Sequence, residues 1–88
     1  MGLSQLPNIG KELERRLNLV EIHTAEELNQ VGSLGVLQRL GDINHPVCVN
    51  MLYALEGAIQ GIRWHYLPDE VKTALKSDLK DLQSRVSP

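Results

Sequence analysis

The segment Pro46–Ile62 constrains the fold of this chain most strongly, because it is apolar on most sides of a helix. Its only charged residue is Glu56. The apolar residues of this segment are Val47, Cys48, Val49, Met51, Leu52, Leu55, Ala58, Ile59 and Ile62. A helix of this kind is too short for the about 20 residues of a membrane span, so it is typical of a protein core. The segment therefore predicts a central helix with Pro46 in its first turn.

Helical periodicity recurs on both sides of this central segment, and no stretch shows the sustained alternation of a strand. Upstream helices are predicted from Lys11 to about Val20, from a Thr24–Glu27 capping box to Gly32, and from a Ser33 cap to Gly41. A last helix is predicted after Pro68, with one apolar face formed by Val71, Leu75, Leu79, Leu82 and Val86. These patterns predict an all-α fold, a compact bundle of about five helices.

A chain of 88 residues has room for one domain with a thin core. We therefore predict a single domain over residues 1–88, with an ordered core over about 3–83. Such a core leaves little space for a deep substrate pocket. His23, His45 and His65 are too scattered for a metal site, and the chain has no phosphate-binding loop of the GxxxxGK type. We expect no catalytic residues, no cofactor and no metal.

Charge and cysteine content indicate the compartment and the kind of partner. The formal net charge is −2, so the whole molecule is not attracted to nucleic acid, and any DNA contact is expected to be local and weak. Cys48 is the only cysteine, and its apolar neighbours predict a buried thiol in a reducing compartment. We find no membrane span and no secretion signal at the N-terminus, so we predict a cytoplasmic protein.

The segment from Leu6 to Lys11 contains the candidate nucleic-acid contacts. A short helical turn, a tight turn bracketed by Pro7 and Gly10, and a following helix resemble a helix-hairpin-helix motif. In that motif, backbone N–H groups at the start of the second helix face a phosphate. The resemblance implies that Asn8, Gly10 and Lys11 contact the nucleic-acid backbone.

Packing or protein docking is the alternative role for this hairpin, and it is the one we favour. Asn8 stands where the motif commonly has its first glycine. Glu12 and Glu14 follow Lys11 closely and oppose a phosphate.

Candidate partner contacts lie near the C-terminal end. Lys72, Lys76 and Lys80 form a basic stripe at i+4 spacing, which fits either an acidic partner or, as the plainer interpretation, a solvated helix face. Arg63 precedes Trp64 in the linker before the last helix. Arg and Trp are enriched in interface hot spots, whereas a linker Trp more often closes the end of a small core.

Several segments occur in the same order as in a known family: Leu6–Leu13, Ile22–Leu28, Pro46–Gly57, Gly61–His65 and Leu67-Pro68. Over residues 3 to 80 the chain resembles the C-terminal domain of the TfoX/Sxy competence regulators. The resemblance implies a bacterial protein linked to natural DNA transformation, in a family that acts with the cyclic-AMP receptor protein. Full-length members carry an additional N-terminal α/β domain, so this chain is either a stand-alone version or a fragment of a two-domain regulator. The family brings no catalytic residues and no cofactor.

These observations predict a non-catalytic regulatory module of competence. We expect it to contact a transcription factor or another regulatory protein, with weak DNA backbone contact as a second contribution. One alternative is a stand-alone helix-hairpin-helix domain that binds DNA. Another is an oligomerisation module, in which an exposed apolar strip on the last helix pairs with a second copy.

Overall fold

Five α-helices make up most of residues 2–86, the part of the chain that this computed structural model describes. They are α1 (Lys11–Leu19), α2 (Ala25–Val31), α3 (Ser33–Asp42), α4 (Val49–Gln60) and α5 (Asp69–Val86). Two short 3-10 helices are present at Leu3–Gln5, before α1, and at Trp64–Tyr66, between α4 and α5. Residues 2–86 contain no strand, so the predicted all-α bundle is confirmed.

Helix α4 is the centre of the bundle, as its apolar circumference predicted. It contacts α2, α3, α5 and the Trp64–Tyr66 3-10 helix. Its buried residues are Met51, Leu52, Leu55, Gly57 and Ala58. The charged Glu56 lies at the edge of the core, where the hydroxyl of the buried Ser33 donates a 2.8 Å hydrogen bond to its carboxylate. This bond satisfies a buried polar group and ties the start of α3 to α4.

The start of α4 differs from the prediction. The helix begins at Val49, and Pro46 lies before it in the connection from α3. Cys48 is the N-cap residue with an extended backbone, φ −148° and ψ 166°. The buried thiol predicted from its apolar neighbours is wrong, because Cys48 lies before the helix and is exposed.

Helix α3 also differs at both ends. Gly41 does not end it, because the helix continues to Asp42. The turn that follows contains Asn44 with a left-handed φ of 60°. Ser33 is not its cap: Gly32, with φ 81°, ends α2 and begins α3, and the Ser33 side chain bonds Glu56 instead.

Thr24 caps α2 as predicted, but the return bond of the capping box goes to His23 and not to Thr24. Thr24 Oγ1 accepts a hydrogen bond from the backbone N–H of Glu27 at 3.1 Å. The Glu27 carboxylate in turn accepts one from the backbone N–H of His23, also at 3.1 Å. The two bonds satisfy N–H groups that have no partner within the helix.

Helix α5 packs its apolar face on the rest of the chain. Leu75 and Leu79 are buried, and Val71 and Leu82 pack against the core. The described part of the strip that we considered for pairing with a second copy therefore packs on the chain itself. The side chain of Val86, the last residue of the predicted apolar face, lies outside the described residues. Residues 87–88 also lie outside them, beyond the predicted end of the core at about residue 83. None of the helices described is long and apolar enough to cross a membrane.

Candidate docking surface around Trp64

The predicted site residues lie in two regions that contact each other. The first is the hairpin between the N-terminal 3-10 helix and α1, with the first residue of α1. The second is the connection between α4 and α5, with the lysine face of α5. Asn8 joins the two regions.

The side chain of Asn8 points inward, away from any nucleic acid. Its Nδ2 donates hydrogen bonds to the carbonyl oxygens of Ile62 at 2.9 Å and Ala54 at 3.3 Å. Its Oδ1 accepts one from the backbone N–H of Trp64 at 3.1 Å. Asn8 has a left-handed backbone with φ 68°, a conformation that Asn tolerates better than most residues. The Asn8 side chain therefore makes its hydrogen bonds within the fold. At this residue only the backbone could contact a phosphate.

Gly57 makes room for the Asn8 contacts, and sequence reasoning did not identify it. A Cβ at this position would lie 2.5 Å from Asn8 Nδ2, 2.8 Å from the Ile62 carbonyl oxygen and 3.1 Å from Trp64 Cα. Two of these three atoms belong to the backbone and cannot turn away. The available signal was a glycine inside a helix of otherwise good helix formers, since such a glycine usually has a packing reason.

Gly10 and Lys11, unlike the Asn8 side chain, are exposed at the start of α1. Gly10 is the N-cap residue, and no side chain caps this end of the helix. The neighbouring Glu12 forms ion pairs with Arg15 at 2.7 Å and Arg16 at 3.3 Å. The hydrogen bond from Arg15 lowers the pKa of the Glu12 carboxyl below its usual range. The three predicted phosphate contacts thus divide into one inward side chain and two exposed residues.

The connection between α4 and α5 gathers aromatic and basic groups around one ring. Trp64 stacks on Tyr53, with ring centroids 5.9 Å apart, and on His65, with centroids 4.0 Å apart. Lys72 Nζ lies 5.4 Å from the centre of the Trp64 ring, within cation–π range. Trp64 is half-buried and packs against the core, in agreement with its predicted packing role.

Two further contacts fix Lys72 in place. Its Nζ donates a hydrogen bond to the His65 carbonyl oxygen at 3.4 Å, and its own carbonyl oxygen accepts one from the Tyr53 hydroxyl at 3.4 Å. We define the Trp64 surface as Trp64, the residues His65 and Lys72 that contact it, and its exposed chain neighbours Arg63 and Tyr66.

The outer part of the Trp64 surface is open to solvent. Arg63, His65 and Tyr66 are exposed, and Tyr66 is 77% exposed, the highest fraction among the exposed large apolar residues of the part described. Lys76 and Lys80 follow Lys72 at one and two turns of α5, and both are exposed. Of the predicted partner contacts, Lys72 lies beside Trp64, Arg63 precedes Trp64 in the chain, and Lys76 and Lys80 extend the basic row. Tyr66 was not singled out from the sequence, although an aromatic residue in a linker is a usable signal.

Two open depressions elsewhere do not carry a catalytic arrangement. One, of about 530 Å³, lies between the N-terminal 3-10 helix and the start of α2 and is lined partly by Gln5, Leu6 and Thr24. The other, of about 370 Å³, lies between α1 and the start of α4, where Cys48 and Arg16 line it without a histidine. Within residues 2–86, no three His, Cys, Asp or Glu residues are grouped so that they could hold a metal ion.

Comparison with known proteins gives one family and solved structures of the same fold. Residues 1–79 match the family model described as the TfoX C-terminal domain. An uncharacterised protein from Listeria monocytogenes, solved in a triclinic crystal form, is 47% identical with a TM-score of 0.88, and the match covers 94% of each chain. A protein of unknown function from the same organism, in a tetragonal form, is 48% identical with a TM-score of 0.84, over 90% of this chain and 98% of that one. No curated protein matches.

Proposed function

This chain belongs to the TfoX C-terminal domain family, which is associated with competence, and we propose that it is a non-catalytic regulatory module of natural DNA transformation. It works in the cytoplasm by contacting another protein of transcriptional control, a transcription factor or a comparable regulator. The contact, and not a chemical reaction, is its activity.

The Trp64 surface is the observation that carries this proposal. It joins an exposed tyrosine to an exposed arginine and a row of lysines, and Tyr, Trp and Arg are the residues enriched in protein interfaces. The Trp64 ring is held by stacking on Tyr53 and His65, and its backbone N–H by a hydrogen bond to Asn8, so little freedom of this side chain is lost when a partner binds.

The experiment is deletion of the gene in its bacterial host, followed by complementation. Transformation frequency and the transcript levels of competence genes are measured in the wild type, the deletion strain and the complemented strain. Both quantities are expected to fall in the deletion strain and to recover on complementation. Unchanged transcripts and unchanged transformation in the deletion strain would contradict the proposed role.

A DNA-binding hairpin domain is the second candidate, and one observation favours it. Gly10 and Lys11 are exposed at the start of α1, where no side chain caps the helix and its first N–H groups are left without intrahelical partners. The net charge of −2 and the inward Asn8 side chain favour the protein partner instead.

Fluorescence anisotropy of a labelled DNA duplex, titrated at several salt concentrations, distinguishes the two candidates. Binding through the hairpin would weaken steeply with salt and would be lost in Lys11→Glu. We expect no binding of the duplex at moderate salt, in agreement with a protein partner.

A further inference from the structure

We propose that the Trp64 surface, extended by Lys76 and Lys80, is the docking site for an acidic, partly apolar segment of the partner protein. This inference rests on the proposed function and adds the surface and the chemistry of the segment that it binds.

The basic row supplies the charge that an acidic segment requires. Arg63, Lys72, Lys76 and Lys80 are four of the nine Lys and Arg residues in a chain whose net charge is −2. A helix turns about 100° per residue, so the three lysines lie within about 80° of each other on α5. By the same spacing, Asp78 and Asp81 lie about 100° or more from Lys80 on the helix circumference. Two acidic residues in the first turn of α5 lie nearer: Asp69 falls on the side of the lysines, and Glu70 lies about 80° from Lys80.

The apolar contact is supplied by Tyr66. Tyr66 is 77% exposed, so the described fold covers only a small part of it and leaves a large ring in water. A segment with acidic side chains and apolar residues between them would cover the ring and also meet the lysines. Such complementary charges guide the encounter of two proteins and fix their orientation.

Nucleic acid fits the same surface less well. Proteins that bind single strands stack several bases on open aromatic rings. Here the Trp64 ring is already contacted by Tyr53, His65 and Lys72, which leaves Tyr66 as the open ring of the surface. The net negative charge of the chain further opposes a polyanion as large as DNA.

The test uses the purified full chain and a short fluorescein-labelled peptide made of Glu, Leu and Ala. The control peptide has Lys in place of Glu. Binding is followed by peptide anisotropy and by the intrinsic fluorescence of Trp64, which is the only tryptophan and therefore reports from the site itself. We expect the acidic peptide to bind at low salt with a change in Trp64 fluorescence, and the Lys peptide not to bind.

Three variants locate the contact. Lys76→Glu is expected to weaken binding of the acidic peptide about fivefold, and Tyr66→Ala about tenfold. Both side chains are exposed, so neither change removes core packing. Arg15→Glu is the matched control, because it makes the same change in charge at an exposed position on α1 and is expected to leave the affinity unchanged.

The inference is overturned if the acidic peptide does not bind, or if Lys76→Glu and Arg15→Glu weaken it equally. It is also overturned if single-stranded or duplex DNA binds in a Lys76-dependent way and the peptide does not, since the surface would then recognise nucleic acid.

Complementation separates this inference from the proposed function. If the deletion strain loses competence and Lys76→Glu together with Tyr66→Ala fails to restore it, both stand. If the double variant restores competence fully, the proposed function stands and the docking site is wrong. If deletion has no effect on competence, the proposed function fails, and the docking site is judged by the peptide titration alone.

Discussion

Asn8 Nδ2 donates a 2.9 Å hydrogen bond to the carbonyl oxygen of Ile62, 54 residues later in the chain. Two more bonds from the same side chain reach Ala54 and Trp64, so one residue of the first hairpin holds both the end of α4 and the start of the Trp64 surface. The hairpin that resembles a phosphate-binding motif therefore holds the backbone of the candidate docking surface in place, through the hydrogen bonds of Asn8.

The Asn8 bonds make a strong prediction for Asn8→Asp. The carboxylate cannot donate to the carbonyl oxygens of Ile62 and Ala54, and it places a negative charge beside them. We expect the free energy of unfolding to fall by about 2–3 kcal/mol, measured by urea denaturation at neutral pH. The deficit should shrink in acid, because a protonated carboxyl regains one donor. A loss as small as that of an exposed substitution would mean that these bonds contribute little.

Gly57→Ala should destabilise the protein, although alanine is the better helix former. The added Cβ would lie 2.8 Å from the Ile62 carbonyl oxygen, which can move only with the backbone. We expect a loss of about 2 kcal/mol in the free energy of unfolding. Gly41→Ala is the control within a helix: nothing lies within 4 Å of its Cβ, and it should gain about 0.5–1 kcal/mol. Equal effects of the two changes would contradict the tight approach at Gly57.

The fold was predictable because its signals are local. The apolar circumference of α4, the Thr24 box and the turn residues each depend on neighbours a few positions away. The site was less predictable, because it depends on contacts between distant segments. Asn8 and Gly57 act through each other and through Ile62, and no spacing in the sequence relates them. Cys48 was misplaced for a simpler reason: α4 begins one residue after it, and a shift of a few residues at a helix start changes which side chains are inside.

Cys48 should react as an exposed thiol in the folded protein. It is the N-cap residue of α4 and lines an open groove next to α1. One equivalent of Ellman's reagent is expected to react without denaturant. Reaction only after urea is added would restore the buried thiol that the sequence predicted.

Arg15 should control the ionisation of Glu12. Its hydrogen bond is the main cause of the lowered pKa of the Glu12 carboxyl, with a smaller contribution from Arg16. In Arg15→Gln the pKa of Glu12 is expected to rise toward its usual value, as measured by NMR titration of the side-chain carboxyl. A lowered pKa in the folded state stabilises above the usual carboxyl pKa, and this contribution is lost as the pH falls through the lowered value. The pair is exposed, so added salt should reduce the shift in the Glu12 pKa. If the pKa of Glu12 were the same in Arg15→Gln as in the wild type, the contact would be absent in solution.

The purified domain is expected to be monomeric over a wide range of concentration. The apolar face of α5 that could have paired with a second copy already packs on the core through Leu75 and Leu79. The large apolar residues left exposed in the part described are Leu19 in α1, Ile43 in the turn after α3, and Tyr66 in the second 3-10 helix. They do not form the continuous strip of a helix pair. Sedimentation equilibrium should therefore give a constant mass of 9.8 kDa. A mass that rises with concentration would contradict this prediction and support the oligomerisation module. If Tyr66→Ala then abolished the rise, the Trp64 surface would be the interface between copies and not the docking site of an acidic segment.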